Sequence, residues 1–202
     1  MDELLPLFAS ANIEIEADFY DKSTRKLQFA TNLDWLSFVV VRAFDVSKFV
    51  QNGVCDVGVC GSDVLDEFEG ENTDIISVAD LNIGHCRLSV AKRLDVELAG
   101  LNTLHVASKY VNIASKFFTS QGLEAKIIKL GGSMELAAKL GLCDVIVDLV
   151  STGKTLLQNN MHEISTISKV QSKLICNKTT FRIKNQKLNN LLHLIFPGNI
   201  IS

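Results

Sequence analysis

Val145-Ile-Val-Asp-Leu-Val-Ser-Thr-Gly-Lys-Thr155 decides how this chain is read. An apolar run, Val145 to Val150, is interrupted by a single acid, Asp148, and ends in a small hydroxyl and glycine loop, Ser151 to Thr155. Leu156, Leu157, Asn159 and Asn160 then continue in a helical pattern. A strand that turns through a tight loop into the start of a helix presents backbone N–H groups to an anion. Ser151, Thr152 and Thr155 can add hydroxyl donors, and Lys154 adds a positive charge. The stretch therefore suggests a phosphate pocket, beside the plainer reading of a Ser-Thr-Gly helix N-cap. A Walker A loop fits poorly, because that motif needs a glycine five positions before Gly153, where this chain has Asp148.

The surrounding 202 residues give room for one large domain or two small lobes. A composition 47% hydrophobic and 21% charged is that of a globular protein with a sizeable core. The net charge of −3 argues against a general nucleic-acid binder, so a phosphate-bearing partner must be held by a local site. The five cysteines form no CxxC pair and no zinc spacing with histidine, and most of them read as small core residues in a reducing compartment. The N-terminus is acidic without the basic region of a signal peptide, and apolar stretches such as Phe38 to Val41 are too short to cross a bilayer. A cytoplasmic protein is expected.

Taken in order, Asp2 to Ala11 reads as an amphipathic helix with Pro6 in its first turn. Strands are expected over Leu27 to Ala30 and Leu36 to Val41, the second apolar on both faces and therefore central and parallel. Arg42 closes that strand, Asp45 N-caps a helix over Val46 to Asn52, and Gly53 stops it. Strand Asp56 to Cys60, loop Gly61-Ser-Asp63, helix Val64 to Phe68, loop Gly70 to Thr73 and strands Asp74 to Val78 and Cys86 to Ala91 follow. Ligands of such sheets bind beyond the carboxyl ends of the strands, where Arg42, Asp45, Gly61 and Asp63 fall. The plainer alternatives are helix capping for the two aspartates and a surface ion pair for Arg42.

Lys92 to Gly100 reads as a linker to a second α/β series. That series runs through strand Leu104 to Ser108, helix Tyr110 to Ser120, strand Ala125 to Leu130, a Gly131-Gly132-Ser133 turn, helix Met134 to Leu140 and the opening stretch. Strands over Glu163 to Ser168 and Val170 to Cys176 and one final helix, Phe181 to Ile195, closed by Pro197 and Gly198, complete the chain. The expected division is a first lobe of residues 1–91 plus 168–202 and a second of 92–167, the latter about 75 residues long, with a ligand cleft between them.

The ordered pieces resemble one family. They are Arg25-Lys-Leu27; Arg42 with Asp45-Val46; Gly53 with Asp56-Val-Gly58; Gly61 with Asp63-Val-Leu65; Cys86 to Ala91; Ala107-Ser-Lys-Tyr110 with Asn112-Ile-Ala114; Gly132-Ser133 with Glu135-Leu-Ala137; Asp144 to Thr155; and Lys173 to Asn177. Together they resemble the short form of ATP phosphoribosyltransferase. The resemblance implies a two-lobed fold like the type II periplasmic binding proteins. It also implies attack of N1 of ATP on C1 of the ribose of phosphoribosyl pyrophosphate (PRPP), with magnesium, Mg2+, chelated by the pyrophosphate and no metal ligand assigned from the protein. On this resemblance Ser151, Thr152, Gly153, Lys154 and Thr155 cradle the 5′-phosphate, Asp148 faces the ribose hydroxyls, and Glu135 joins the PRPP site. Arg25 and Lys26 reach the pyrophosphate, and Arg42, Asp45, Gly61 and Asp63 lie on the ATP or pyrophosphate side. His85, His105, His162 and His193 receive no role.

The chain departs from the family pattern in three smaller places, Ser47 and Ala138 for prolines and Gly131 for a tyrosine. It also starts within the family's first helix, so that a first-lobe strand is expected to be missing. Its end, one helix after the return strand, leads to the expectation of no C-terminal ACT-type regulatory domain. The short form implies a separate regulatory subunit similar to histidyl-tRNA synthetase, in a hetero-oligomer built on homodimers, with no nucleic acid and no membrane. Two alternatives stay open. One is another PRPP-dependent transferase, although type I enzymes place two adjacent acids before the loop and Asp148 is followed by Leu149. The other is a non-catalytic, two-lobed small-molecule-binding subunit.

Overall fold

A computed structural model describes residues 3–71 and 74–197. Asp2, Asn72, Thr73 and Gly198, named above in expected elements, lie outside the described residues. The chain divides into two units, one of Met1–Cys60, Asn72–Ile83 and Lys173–Ser202, the other of Gly61–Glu71 and Gly84–Ser172.

In the first unit, helix α1 (Leu4–Ser10) precedes a two-stranded antiparallel ribbon of β1 (Gln28–Ala30) and β2 (Ser37–Val39). The apolar run around β2 is thus a hairpin arm and not the expected central parallel strand. Val39 is 40% exposed, while Phe38 packs edge-on against Phe8 with ring centroids 4.7 Å apart. A short apolar run has the same composition in either setting, and here only one face meets the core. Helix α2 (Ala43–Gln51) starts earlier than expected: Arg42 is its N-cap residue and Asp45 lies inside its first turn, so Asp45 is not a cap. Gly53 does follow the helix end with a φ of +69°, the left-handed stop that glycine adopts without a Cβ penalty.

Strands β3 (Val57–Gly61), β4 (Ile75–Asp80) and β10 (Ser172–Asn177) form a sheet ordered β3-β10-β4, with β4 and β10 antiparallel. The parallel sheet expected of such an α/β unit is therefore corrected at its returning strand, since β10 pairs antiparallel with β4. A Cβ on Gly58 would stand 2.6 Å from Val46 and 2.8 Å from Val50, so α2 packs on β3 only because that position has no side chain. The single final helix expected over Phe181 to Ile195 is two helices, α7 (Lys178–Ile183) and α8 (Asn185–Ile195), broken at Lys184. Asn177 caps α7, accepting from the Thr179 N–H at 2.8 Å and donating to the carbonyls of Val50 and Gln51. The apolar stripe Leu188, Leu191, Leu192 and Ile195 of α8 is buried, as its spacing predicts.

The second unit is built on five strands in the order β7-β6-β8-β5-β9. They are β5 (Cys86–Arg93), β6 (Leu104–Ser108), β7 (Ala125–Lys129), β8 (Val145–Val150) and β9 (Met161–Val170). β6 runs parallel to β7 and β8, whereas β5 is antiparallel to both β8 and β9. The division therefore differs from the boundaries read from sequence. β5, expected in the first lobe, is hydrogen-bonded on both edges within the second unit. The expected linker begins inside it: Lys92 and Arg93 are strand residues, and Arg93 reaches the carbonyls of Ala138 and Lys139.

Helices α3 (Ser62–Glu67), α4 (Val111–Ser120), α5 (Met134–Lys139) and α6 (Lys154–Gln158) complete this unit. Met134, Ala137, Ala138, Ile146, Val150, Leu156 and Met161 form one core cluster that fixes α5 and α6 against β8 and β9. Burial of these side chains, at about 1.5–3 kcal/mol for each large aliphatic one, is what holds the loop after β8 in place.

Candidate active site

β8 alternates, so that Ile146, Asp148 and Val150 share one face. In the antiparallel ladder Asp148 stands opposite Ser89 of β5, so two polar residues face each other across the two strands. A cavity of about 220 Å³ opens at the carboxyl end of β8. Asp148, Glu135, Ser151, Thr152, Gly153 and Thr155 all line it. Six of the seven residues expected to bind PRPP are thus brought to one place by elements of a single unit. The seventh, Lys154, is exposed between them and does not line the cavity.

The loop has the conformation that an anion cradle needs. Gly153 holds a φ of +75° as the N-cap residue of α6. Its carbonyl accepts the first helical bond, from the Leu157 N–H at 3.1 Å. Among the described residues no group takes up the N–H of Ser151, Thr152, Gly153 or Thr155. The Ser151, Thr152 and Thr155 side chains are exposed.

Asp148 is only partly exposed, and its one hydrogen bond among the described residues comes from the N–H of Leu149 at 2.8 Å. Burial pushes its carboxyl above the ordinary range, and the nearby carboxylates of Glu135 and Asp63 push the same way. The Leu149 amide and the Lys109 ammonium act against that shift. A carboxyl kept costly to ionise is suited to accept from ribose hydroxyls or to sit beside a cation that repays its desolvation.

Asp63 is not the helix cap that was its plainer reading. It is 5% exposed inside α3, and its Oδ2 accepts from the Tyr110 hydroxyl at 2.6 Å. Burial and this carboxylate push the Tyr110 phenol far above its ordinary value, so it stays a donor. Gly61 serves the same packing, because a Cβ there would fall 2.0 Å from Asp63 Oδ1.

The other expected residues belong to the first unit. Arg25, Arg42 and Asp45 are exposed. Lys26 is paired with Glu16 at 2.8 Å and Asp18 at 3.6 Å.

Three features escaped the sequence reading. Ser89 is fully buried at the cavity, and its hydroxyl makes no well-formed hydrogen bond. The sequence does not single it out, because β5 also carries Arg87, Lys92 and Arg93, whereas Asp148 is the one polar residue of β8. Arg87 of β5 makes a two-pronged ion pair with Glu163 of β9 and also holds the Ser151 carbonyl. That pair, with help from the adjacent Ser89, holds the Glu163 carboxyl below its usual range. Glu67, 4% exposed, caps α4 from outside it, accepting from the N–H groups of Asn112 and Ile113 at 3.0 Å each. Nothing local in the sequence announces either pairing.

The family described as ATP phosphoribosyltransferase (HisG) matches residues 42–196. The ATP phosphoribosyltransferases of Sphingopyxis alaskensis and Novosphingobium aromaticivorans are each 45% identical, over 194 and 196 residues. Both alignments cover 95% of this chain, and they cover 86% and 87% of the relatives. Among solved structures, the ATP phosphoribosyl transferase (HisG:HisZ) complex of Thermotoga maritima is similar with a TM-score of 0.79 and 27% identity, covering 96% of this chain and 90% of that one. The periplasmic aliphatic sulphonate binding protein SsuA of Escherichia coli is similar in fold alone, with a TM-score of 0.51 and 12% identity over 76% of this chain and 58% of that one. A two-lobed, periplasmic-binding-protein-like α/β fold carries the cavity at β8, and the chain belongs to the ATP phosphoribosyltransferase family of pentosyl-transferring enzymes.

Proposed function

We propose that this chain transfers the 5-phosphoribosyl group of PRPP to N1 of ATP, the first step of histidine biosynthesis. N1 supplies the electron pair of the new bond to C1, and the pair of the breaking C1–O bond leaves with pyrophosphate. The observation that carries the reading is the loop after β8, where Ser151, Thr152, Gly153 and Thr155 line one cavity with Asp148 and Glu135 and their N–H groups have no partner among the described residues.

The 5′-phosphate would take the amides of the loop and the hydroxyls of Ser151, Thr152 and Thr155. Lys154, exposed beside it, would add charge from the solvent side. Asp148 would accept from the ribose hydroxyls, and Glu135 would flank the ribose from the start of α5. As C1 loses its leaving group the ribose gains positive character, which a carboxylate fixed in advance stabilises without rearrangement.

Magnesium would arrive with the pyrophosphate. The donor set fits it, because Mg2+ is commonly held by substrate phosphates with one or two carboxylates, here Asp148 and Glu135. When bound it would neutralise charge on the leaving group. Arg25 and Lys26 are proposed for the pyrophosphate, Lys26 exchanging its present partners Glu16 and Asp18 for substrate. Arg42 and Asp45 are proposed for the ATP side. Gly61 and Asp63 would act through Tyr110, which they position. A regulatory subunit similar to histidyl-tRNA synthetase, joined to a homodimer of this chain, is proposed from the HisG:HisZ complex of the Thermotoga relative.

The test is to mix the purified chain with ATP, PRPP and magnesium, with and without the regulatory partner, and to follow product absorbance in the ultraviolet. Product is expected. Its absence with the partner present would return the chain to a binding role, and product formed with another base in place of ATP would make it a different PRPP transferase.

A further inference from the structure

We infer that Arg87 and Glu163 form a positioning brace for the phosphate loop and do not themselves bind the phosphate. The inference rests on the reading of Ser151 to Thr155 as the PRPP loop. Arg87 Nε donates to Glu163 Oε2 at 2.7 Å, Nη2 donates to Oε1, and Nη1 donates to the Ser151 carbonyl at 3.0 Å. One guanidinium thereby ties β9 to the first residue of the loop, from a strand lying between β8 and β9. Neither Arg87 nor Glu163 lines the cavity.

The brace sets the direction of a donor. The Ser151 carbonyl and the Thr152 N–H belong to one planar trans peptide and point opposite ways. Holding the carbonyl on Arg87 therefore turns the Thr152 N–H away from Arg87, and Thr152 lines the cavity. A carbonyl left loose in this loop could rotate toward the cavity and present an acceptor to an anion. Glu163 fixes the guanidinium fork, because a carboxylate matches two of its N–H groups in one plane. It also cancels the charge of Arg87, so the pair offers a phosphate little net attraction. Glu163 stands close under the loop, with Oε1 3.9 Å from where a Cβ on Gly153 would be.

That placement gives the inference a sign. If only charge mattered, Glu163→Gln would remove a negative group near the loop and tighten PRPP binding. A brace predicts the reverse, since a neutral amide holds the fork less firmly. Titration calorimetry of PRPP with magnesium into the wild-type chain, Glu163→Gln, Arg87→Lys and Thr155→Ala decides it. The dissociation constant for PRPP is expected to rise about tenfold in both brace variants, the value of roughly one well-placed charged hydrogen bond. That for ATP is expected to stay unchanged. Unchanged or tighter PRPP binding in Glu163→Gln and Arg87→Lys, with Thr155→Ala still weakened, would overturn the brace alone. If Thr155→Ala also leaves PRPP binding intact, or the wild-type chain does not bind PRPP, the loop assignment fails and the brace fails with it. Should one brace variant not fold, the other carries the same sign.

Discussion

The Tyr110 hydroxyl donates to Asp63 Oδ2 at 2.6 Å, with Tyr110 wholly buried and Asp63 5% exposed. The bond ties α3 to the start of α4 within the unit that carries the cavity. Tyr110→Phe would keep the ring but leave a buried carboxylate without that donor. A loss of about 2–3 kcal/mol of unfolding free energy is expected. Urea unfolding measures it, and Asp63→Asn combined with Tyr110→Phe should cost less than the sum of the two single changes.

Asp148 is expected to trade stability for function. Its pKa is raised in the folded chain, chiefly by burial, so the folded state keeps the proton to higher pH than the unfolded state does. Stability from this group is therefore greatest below the unfolded pKa. It falls as pH rises through the folded value and stays low above it. Asp148→Asn, which ionises in neither state, should be more stable than the wild type at pH 7. The advantage should shrink as pH drops toward the ordinary aspartate value, while PRPP turnover is lost. Paired urea titrations across pH check the first part and the ultraviolet assay the second.

Thr155→Ala and Lys154→Ala should weaken PRPP far more than ATP. Thr155 lines the cavity and Lys154 does not, so the larger loss is expected at Thr155, about tenfold in KM for PRPP. The loss in Lys154→Ala should shrink as salt is added, because the exposed charge of the wild type acts through a screened field. Steady-state kinetics with each substrate varied in turn reads both.

Glu67 accepts from two consecutive amides at the start of α4, and its own carbonyl accepts from the Asn112 side chain at 2.8 Å. Glu67→Ala should cost about 2 kcal/mol, in the upper range for a helix cap because the carboxylate is buried. Hydrogen exchange should locate the loss at the first turn of α4.

How much of this could be read from the chain depended on whether a signal was local. β6 and β8 were legible to the residue, since each is a short apolar run closed by turn residues. The cavity was legible through Asp148, a polar residue placed where an apolar one would pack. The hairpin arm β2 was misread because an apolar run of its length fits a central strand equally well. The break at Lys184 was missed because no glycine or proline marks it. Tyr110 and Asp63 are 47 residues apart and Arg87 and Glu163 are 76 apart, so neither partnership has a sequence period to reveal it. The first contact comes from the packing of α3 on the start of α4, and the second from the sheet order, which brings β5 between β8 and β9.

The central claim is that the loop after β8 receives the 5′-phosphate of PRPP. Amide resonances of Ser151 to Thr155 in the nitrogen-15-labelled chain test it most directly, titrated with PRPP and magnesium and separately with ATP. The account predicts that PRPP shifts the Thr152, Gly153 and Thr155 amides strongly and that ATP leaves them nearly in place. Shifts of these amides with ATP and none with PRPP would contradict it.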